Sequence, residues 1–183
     1  NEINLHTGGI TGVVGNYAHV RDEDFTTTFE VRVKALYAEI PKAMELVGEI
    51  LAKTKYEDTR RIYEIIAQLK SRLQMSLSSG GHTVSAMRAM SYFSKSAKYS
   101  DLTGGIDFYQ LVSRIEEHYD EEKDNLIARL QALTELIFRP ENLMISLGSQ
   151  QEGYGRLART LPGFLALLWN TPVVEHRDEL TCT

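Results

Sequence analysis

From Phe25 to Val33 the chain alternates. Phe25, Thr27, Phe29, Val31 and Val33 carry apolar or methyl-bearing side chains, with Thr26, Thr28, Glu30 and Arg32 between them. Successive side chains of a strand point to opposite faces, so this segment predicts a strand with one buried and one wet face. A half-wet sheet is usually antiparallel. Upstream, Gly8-Gly9-Ile10-Thr11-Gly12-Val13-Val14-Gly15 sets β-branched residues among glycines, which suits a second strand whose backbone bends or is closely approached.

Downstream the period changes to that of a helix. Pro41 suits a first turn, and Ile40, Met44, Val47 and Leu51, widened by Ala43 and Ile50, form one stripe. A second helix is expected from about Asp58, which can cap it, through Ile62, Ile65, Ile66, Leu69 and Leu73, until Gly80-Gly81 breaks it. Val84, Met87 and Met90 predict a third, followed by a polar loop from Ser94 to Gly105. Phe108, Leu111, Val112 and Ile115 then precede an acidic break, Glu116 to Asp124, and Leu126, Ile127, Leu130, Leu133, Leu136 and Ile137 run to the stop at Arg139-Pro140. Leu143 to Leu147 reads as a short buried strand, and Tyr154, Leu157, Leu161, Phe164, Leu165 and Leu168 as a last helix. The sum is α+β, with helices packed on one face of a small antiparallel sheet. Thr-Gly-Gly-Ile occurs at Thr7 and Thr103 with different flanks, so no internal repeat is inferred.

Composition removes several classes of function. With 20 Lys plus Arg against 25 Asp plus Glu the net charge is −5, and no basic stripe is present, so no nucleic-acid partner is expected. The longest apolar run, Phe164 to Trp169, is too short to span a bilayer, and no membrane partner is expected. Cys182 has no partner for an intramolecular disulfide, which fits a cytoplasmic or other reducing location. The chain opens without Met, and Asn1 to Leu5 looks like the last turns of a helix, so a fragment is expected.

Few constellations carry chemistry. The inverted zinc pattern His-x-x-Glu-His and its forward form are absent, and His6, His19, His82, His118 and His176 share no ligand spacing. His118 with Glu121 and Glu122 offers a weak divalent site on one helical face; a solvated acidic helix start is the preferred reading. Gly153-Tyr154-Gly155-Arg156-Leu157-Ala158, with Glu175 downstream, has the outline of a dinucleotide fingerprint, but five residues separate it from Leu147 and Pro162 interrupts the following helix. No Gly-x-Ser-x-Gly nucleophile string occurs, and Cys182 has no neighbouring base. His82, Arg88 and Tyr92 remain as candidates for contact with a peptide backbone or carboxylate, Arg88 and Tyr92 sharing a helical face. Met75, Met87 and Met90 read as core filler, as do Tyr109 and Trp169.

Four strings in order carry a resemblance. They are Asn4-Leu5-His6-Thr7-Gly8-Gly9-Ile10, Ser79-Gly80-Gly81-His82-Thr83-Val84-Ser85-Ala86-Met87-Arg88-Ala89-Met90-Ser91-Tyr92-Phe93-Ser94, Tyr99-Ser100-Asp101-Leu102-Thr103-Gly104-Gly105-Ile106 and Phe138-Arg139-Pro140-Glu141-Asn142-Leu143. Over about residues 1–150 the chain resembles the presequence-protease branch of the pitrilysin/insulinase zinc metallopeptidases, in the third, peptidase-associated domain. The resemblance implies a fold similar to the metallohydrolase domain of mitochondrial processing peptidase, here lacking its first strands. Residues 151–183 then form a C-terminal helix and linker towards a following domain. It also implies a clamshell parent that encloses unfolded peptides, with zinc held in another domain by the inverted motif. No catalytic or metal-binding role passes to a residue of this chain, and none of its own cofactor is expected. His82, Arg88 and Tyr92 become candidate chamber-surface residues. Expected partners are the remaining domains of the peptidase and unfolded peptide substrates, and an open sheet edge would allow oligomerisation. The alternative is a stand-alone peptide- or protein-binding module without catalysis.

Overall fold

The computed structural model describes residues 2–173 and 180–182. It is mostly helical, with one two-stranded sheet, and is of the expected α+β class. A short helix α1 (Glu2–His6) leads into the hairpin β1 (Ile10–Ala18) and β2 (Phe25–Val33). The strands are antiparallel: Gly8 N donates to Lys34 O at 2.7 Å at one end, and His19 N to Asp24 O at 2.9 Å at the other. A single 3-10 turn, Tyr37–Glu39, precedes α2 (Ile40–Lys53). Then follow α3 (Thr59–Ser79), α4 (Gly81–Met90), α5 (Lys95–Gly104), α6 (Ile106–Glu117), α7 (Tyr119–Ile137) and α8 (Gln151–Leu165).

Two compact units divide these elements. Of the described residues, the first contains 2–14, 29–55 and 129–173, and the second 15–28, 56–128 and 180–182. The first has the fuller core. Val47 and Leu51 of α2 meet Phe164 of α8 and Leu168 beyond it, and Ile10, Val31, Val33, Met44, Phe138, Leu143, Leu161 and Leu165 close around them. Each such aliphatic or aromatic side chain contributes about 2 kcal/mol when removed from water. Gly48 lies close against the segment that follows α8, where a Cβ would come 2.6 Å from Leu167 Cδ1. The predicted stripe of α2 is correct except at Ile50, which is exposed.

Alternation in β2 is honoured only in part. Val31 and Val33 reach the core. Phe29 lies partly exposed over Gly12 and edge-on to Phe138, with ring centroids 5.4 Å apart. Thr27 is exposed. Two strands alone do not cover a whole face.

In the second unit α3 packs on α6, α6 on α5, and α5 on α4. Its buried residues are mixed in kind: Ile66 and Val112 are apolar, whereas Ser91 and Asp101 are polar. The start of α3 is capped as predicted, Asp58 Oδ1 accepting from Arg61 N at 2.9 Å. Gly80 ends the helix by donating its N–H to Ser76 O at 2.8 Å.

Four sequence expectations need correction. The stretch from Ser94 to Gly105 is helix α5, not a loop. Its N-cap is Ser94, whose hydroxyl accepts from Ala97 N at 3.4 Å, and Asn16 of β1 binds its polar face through Ser96 O and Ser100 Oγ, each at 2.8 Å. The acidic break shrinks to His118, because α7 begins at Tyr119 and carries Asp120, Glu121 and Glu122 in its first turn, where acidic side chains oppose the helix dipole favourably. Met75 and Met90 are exposed rather than core. Leu143 to Leu147 is extended but forms no ladder and is largely exposed.

Candidate functional site

Three helices converge on a knot of charge. Arg88 near the end of α4 places Nε 3.1 Å from Asp101 Oδ2 on α5 and an NH2 nitrogen 2.8 Å from Asp107 Oδ1 on α6. Asp101 is 0% exposed. The Arg88 Nε contact is an ion pair whose alignment falls short of a hydrogen bond, so both Asp101 carboxylate oxygens lack a hydrogen-bond partner among the described residues. A carboxylate buried in this way needs a permanent cation beside it, and an always-protonated guanidinium is the residue type that supplies one. The hydrogen bond to Asp107, reinforced by the Asp101 charge against some desolvation, raises the Arg88 pKa above its ordinary value. In turn the Arg88 hydrogen bond holds the Asp107 carboxyl below the usual aspartate range.

The backbone completes the knot. Gly105 N donates to Asp101 O at 2.8 Å, and a Cβ on Gly105 would collide with Asp101 Oδ1 and fall 2.5 Å from the Asp101 carbonyl oxygen. The second glycine of Gly104-Gly105 is therefore required by close approach. Ser91, also buried, turns its hydroxyl to Arg88 O at 2.8 Å.

Of the three residues singled out from sequence, only Arg88 enters this knot. His82 stands exposed in the first turn of α4, and Tyr92 is 58% exposed in the turn directly after the helix. Ten residues of helical rise separate the two by about 15 Å. One peptide side chain does not span that gap, whereas an extended peptide of about five residues does.

Other polar groups organise turns. His19 Nδ1 meets Asp22 Oδ1 and its Nε2 meets Thr26 Oγ1, each at 2.9 Å, while Asp22 Oδ1 also accepts from Asp24 N at 3.0 Å. The order of groups is that of a nucleophile, a base and its orienting acid, but all three side chains are exposed at a hairpin tip that excludes no water. His6 on α1 meets Glu39 at 2.8 Å. His118 Nδ1 lies 3.8 Å from Glu121 Oε2, too far for a hydrogen bond, and no third ligand joins them. Among the described residues no group of three His, Cys, Asp or Glu side chains is arranged to hold a metal ion, so these residues do not fit zinc. His176 lies outside the described residues.

The dinucleotide reading fails on geometry. Gly153 and Gly155 lie inside α8, not in a turn between strand and helix, and the sheet is a single hairpin with no parallel neighbour among the described residues. Gly153 is instead a packing position, since a Cβ there would lie 2.7 Å from Ser149 Oγ and 3.0 Å from the Tyr37 ring. Glu175, the acidic residue of that outline, lies outside the described residues. Two shallow depressions, of about 490 Å³ beside Ala67, Gln68, Ser71 and Arg72 and about 190 Å³ beside Pro41, Met44, Glu45 and Leu167, each hold one ionisable group. Among the described residues no helix is long and apolar enough to cross a membrane.

The fold is α+β, and its most buried polar group, Asp101, serves helix packing. Residues 1–115 match the family described as associated with peptidases of group M16, subgroup C, and the chain belongs to that family. It is 31% identical over 155 residues to protein HypA of Clostridium perfringens (strain 13 / Type A), a match covering 84% of this chain and 16% of that protein. It is 21% identical over 168 residues to the mitochondrial presequence protease of Drosophila melanogaster, covering 87% of this chain and again 16% of the relative. The chain thus spans about a sixth of the length of these relatives.

Proposed function

We propose that this chain is a noncatalytic domain of a zinc-dependent peptidase and forms part of the wall of a chamber that encloses unfolded peptides. The family match over residues 1–115 carries the reading. Zinc and the water it activates belong, on this reading, to another domain of the same protein, and the other domains are its permanent partners. A cytoplasmic or other reducing location is part of the proposal, supported by a single cysteine, Cys182. His82 and Tyr92, exposed at the two ends of α4, are the residues assigned to peptide contact, with the half-exposed Arg88 between them held in place by Asp101 and Asp107.

The test uses the longest natural polypeptide that carries this sequence, loaded with zinc and given an unfolded peptide. Cleavage that a chelator abolishes and added zinc restores is the expected result, with none from the 183-residue chain alone. Cleavage by the isolated chain, or none by the longer protein, overturns the assignment. Joint replacement of His82 and Tyr92 by Ala should raise KM severalfold with kcat little changed, the signature of lost substrate binding.

A further inference from the structure

We propose that Asp107 selects peptides at the Arg88 contact: it occupies the guanidinium edge that a carboxylate would grip, leaves one nitrogen for a neutral main-chain carbonyl, and so turns acidic peptide segments away. The inference rests on the assignment of His82, Arg88 and Tyr92 to peptide contact.

A guanidinium holds a carboxylate best through two parallel N–H···O bonds. The Nε and Nη2 nitrogens form one edge that offers such a pair. Here both are committed, Nε at 3.1 Å from Asp101 Oδ2 and Nη2 at 2.8 Å from Asp107 Oδ1. Nη1 has no partner among the described residues. The other paired edge, Nη1 with Nη2, ends on the nitrogen that Asp107 already holds. A carboxylate drawn to that edge brings its second oxygen against the Asp107 carboxylate. A carbonyl needs only one donor, and Nη1 supplies it.

Charge points the same way. The Arg88 cation faces Asp101 and Asp107, and Lys98 is a further cation acting on Asp107. Two positive groups against two negative ones leave no net attraction for an anion. Of the two carboxylates only Asp107 can meet a ligand, because Asp101 is fully buried whereas the Asp107 side chain is 46% exposed. Asp107 is ionised at neutral pH, since Arg88 holds its carboxyl below the usual aspartate range.

The neighbouring hydroxyl suits a neutral acceptor too. Tyr92 is exposed and near enough to interact with the Arg88 charge, and its phenol can donate to a second carbonyl. A main chain offers a carbonyl at every residue, so these donors read the backbone. Side-chain choice is left to the exposed carboxylate beside them, which repels Asp and Glu.

The test uses the longest natural polypeptide that carries this sequence, loaded with zinc, and two fluorescent peptides that differ only in Gln against Glu at their central positions. Stopped-flow anisotropy, read before turnover, gives a dissociation constant for each. The ratio of the two constants does not depend on the fraction of protein that is folded. The parent should bind the Gln peptide more tightly. Asp107→Asn should narrow the ratio roughly threefold at low salt and less at high salt, because one fixed charge is removed from beside the guanidinium. Asp107→Glu keeps the charge and should keep the preference. Asp120→Asn removes an equal charge from an exposed side chain at the start of α7, about 15 Å of α6 away, and should leave the ratio near that of the parent.

A ratio unchanged by Asp107→Asn overturns the proposal. An equal shift from Asp120→Asn overturns it as well, since net charge is then the cause, and so does binding of neither peptide or tighter binding of the Glu peptide by the parent. Cleavage of the Gln peptide in the same samples tests the underlying assignment separately. Cleavage with no effect of Asp107 sinks the selection role alone, and an Asp107-dependent preference without cleavage sinks the peptidase assignment alone.

Discussion

Gly105 has no Cβ because Asp101 leaves no room for one, and Asp101 is tolerated in the interior because Arg88 stands beside it. Each member of the knot is therefore open to a different test. Gly105→Ala should destabilise the chain by about 1–3 kcal/mol, because the obstructing atoms include a backbone carbonyl that cannot rotate away. Arg88→Met strands the Asp101 charge and should cost about 3 kcal/mol, part of which Asp101→Asn in the same chain restores. Urea midpoints check both; an Arg88→Met chain as stable as the parent would overturn the pairing of Arg88 with Asp101 as a support of the fold. Asp107 makes a pH prediction. Its folded pKa is lowered by Arg88, so its contribution is present above the ordinary value of 3.8 and is lost as the pH falls through the folded value. Below that ordinary value the unfolded chain binds the extra proton, and Asp107→Asn should flatten the acid limb of stability against pH.

At the scale of elements, what sequence reveals is what apolar periodicity encodes. The stripe of α2, the Asp58 cap of α3, the break at Gly80 and the stop before Pro140 were all legible, because each depends on residues a few positions apart. Asp58→Ala should remove about 1 kcal/mol by leaving Arg61 N without its acceptor, measurable as a fall in the thermal midpoint. Helix α5 was not legible. Lys95, Ser96, Lys98, Ser100 and Asp101 give it no apolar stripe, and what holds it is polar and distant in sequence: Asn16 from β1 and Arg88 from α4. The same limit hid the candidate site. Arg88 stood out within the Gly80-Gly81-His82 string, but nothing local joins it to Asp101 and Asp107 on the two following helices. Leu143 to Leu147 shows the converse: pattern gave the extended conformation correctly, while the expected burial stops at Leu143 and the rest of the segment is exposed.

At the scale of the whole molecule two causes of self-association compete, and one substitution tells them apart. The net charge is −5 and the isoelectric point about 5.6, so repulsion between copies fades as the pH is lowered from neutral towards that point. The exposed apolar side chains of Met144, Ile145 and Leu147 attract copies whatever the net charge, since apolar surface is removed from water when two copies touch there. Ile145→Lys changes both terms in opposite directions. It places a cation on the exposed segment and reduces the magnitude of the net charge by one. If loss of net repulsion governs association, the variant scatters more light than the parent at neutral pH. If the bare segment governs it, the variant scatters less, despite its smaller charge. The second outcome is expected, because one unit of net charge spread over a surface is screened within about 8 Å at physiological salt, whereas a lysine inside the segment breaks apolar side-chain contact between copies directly.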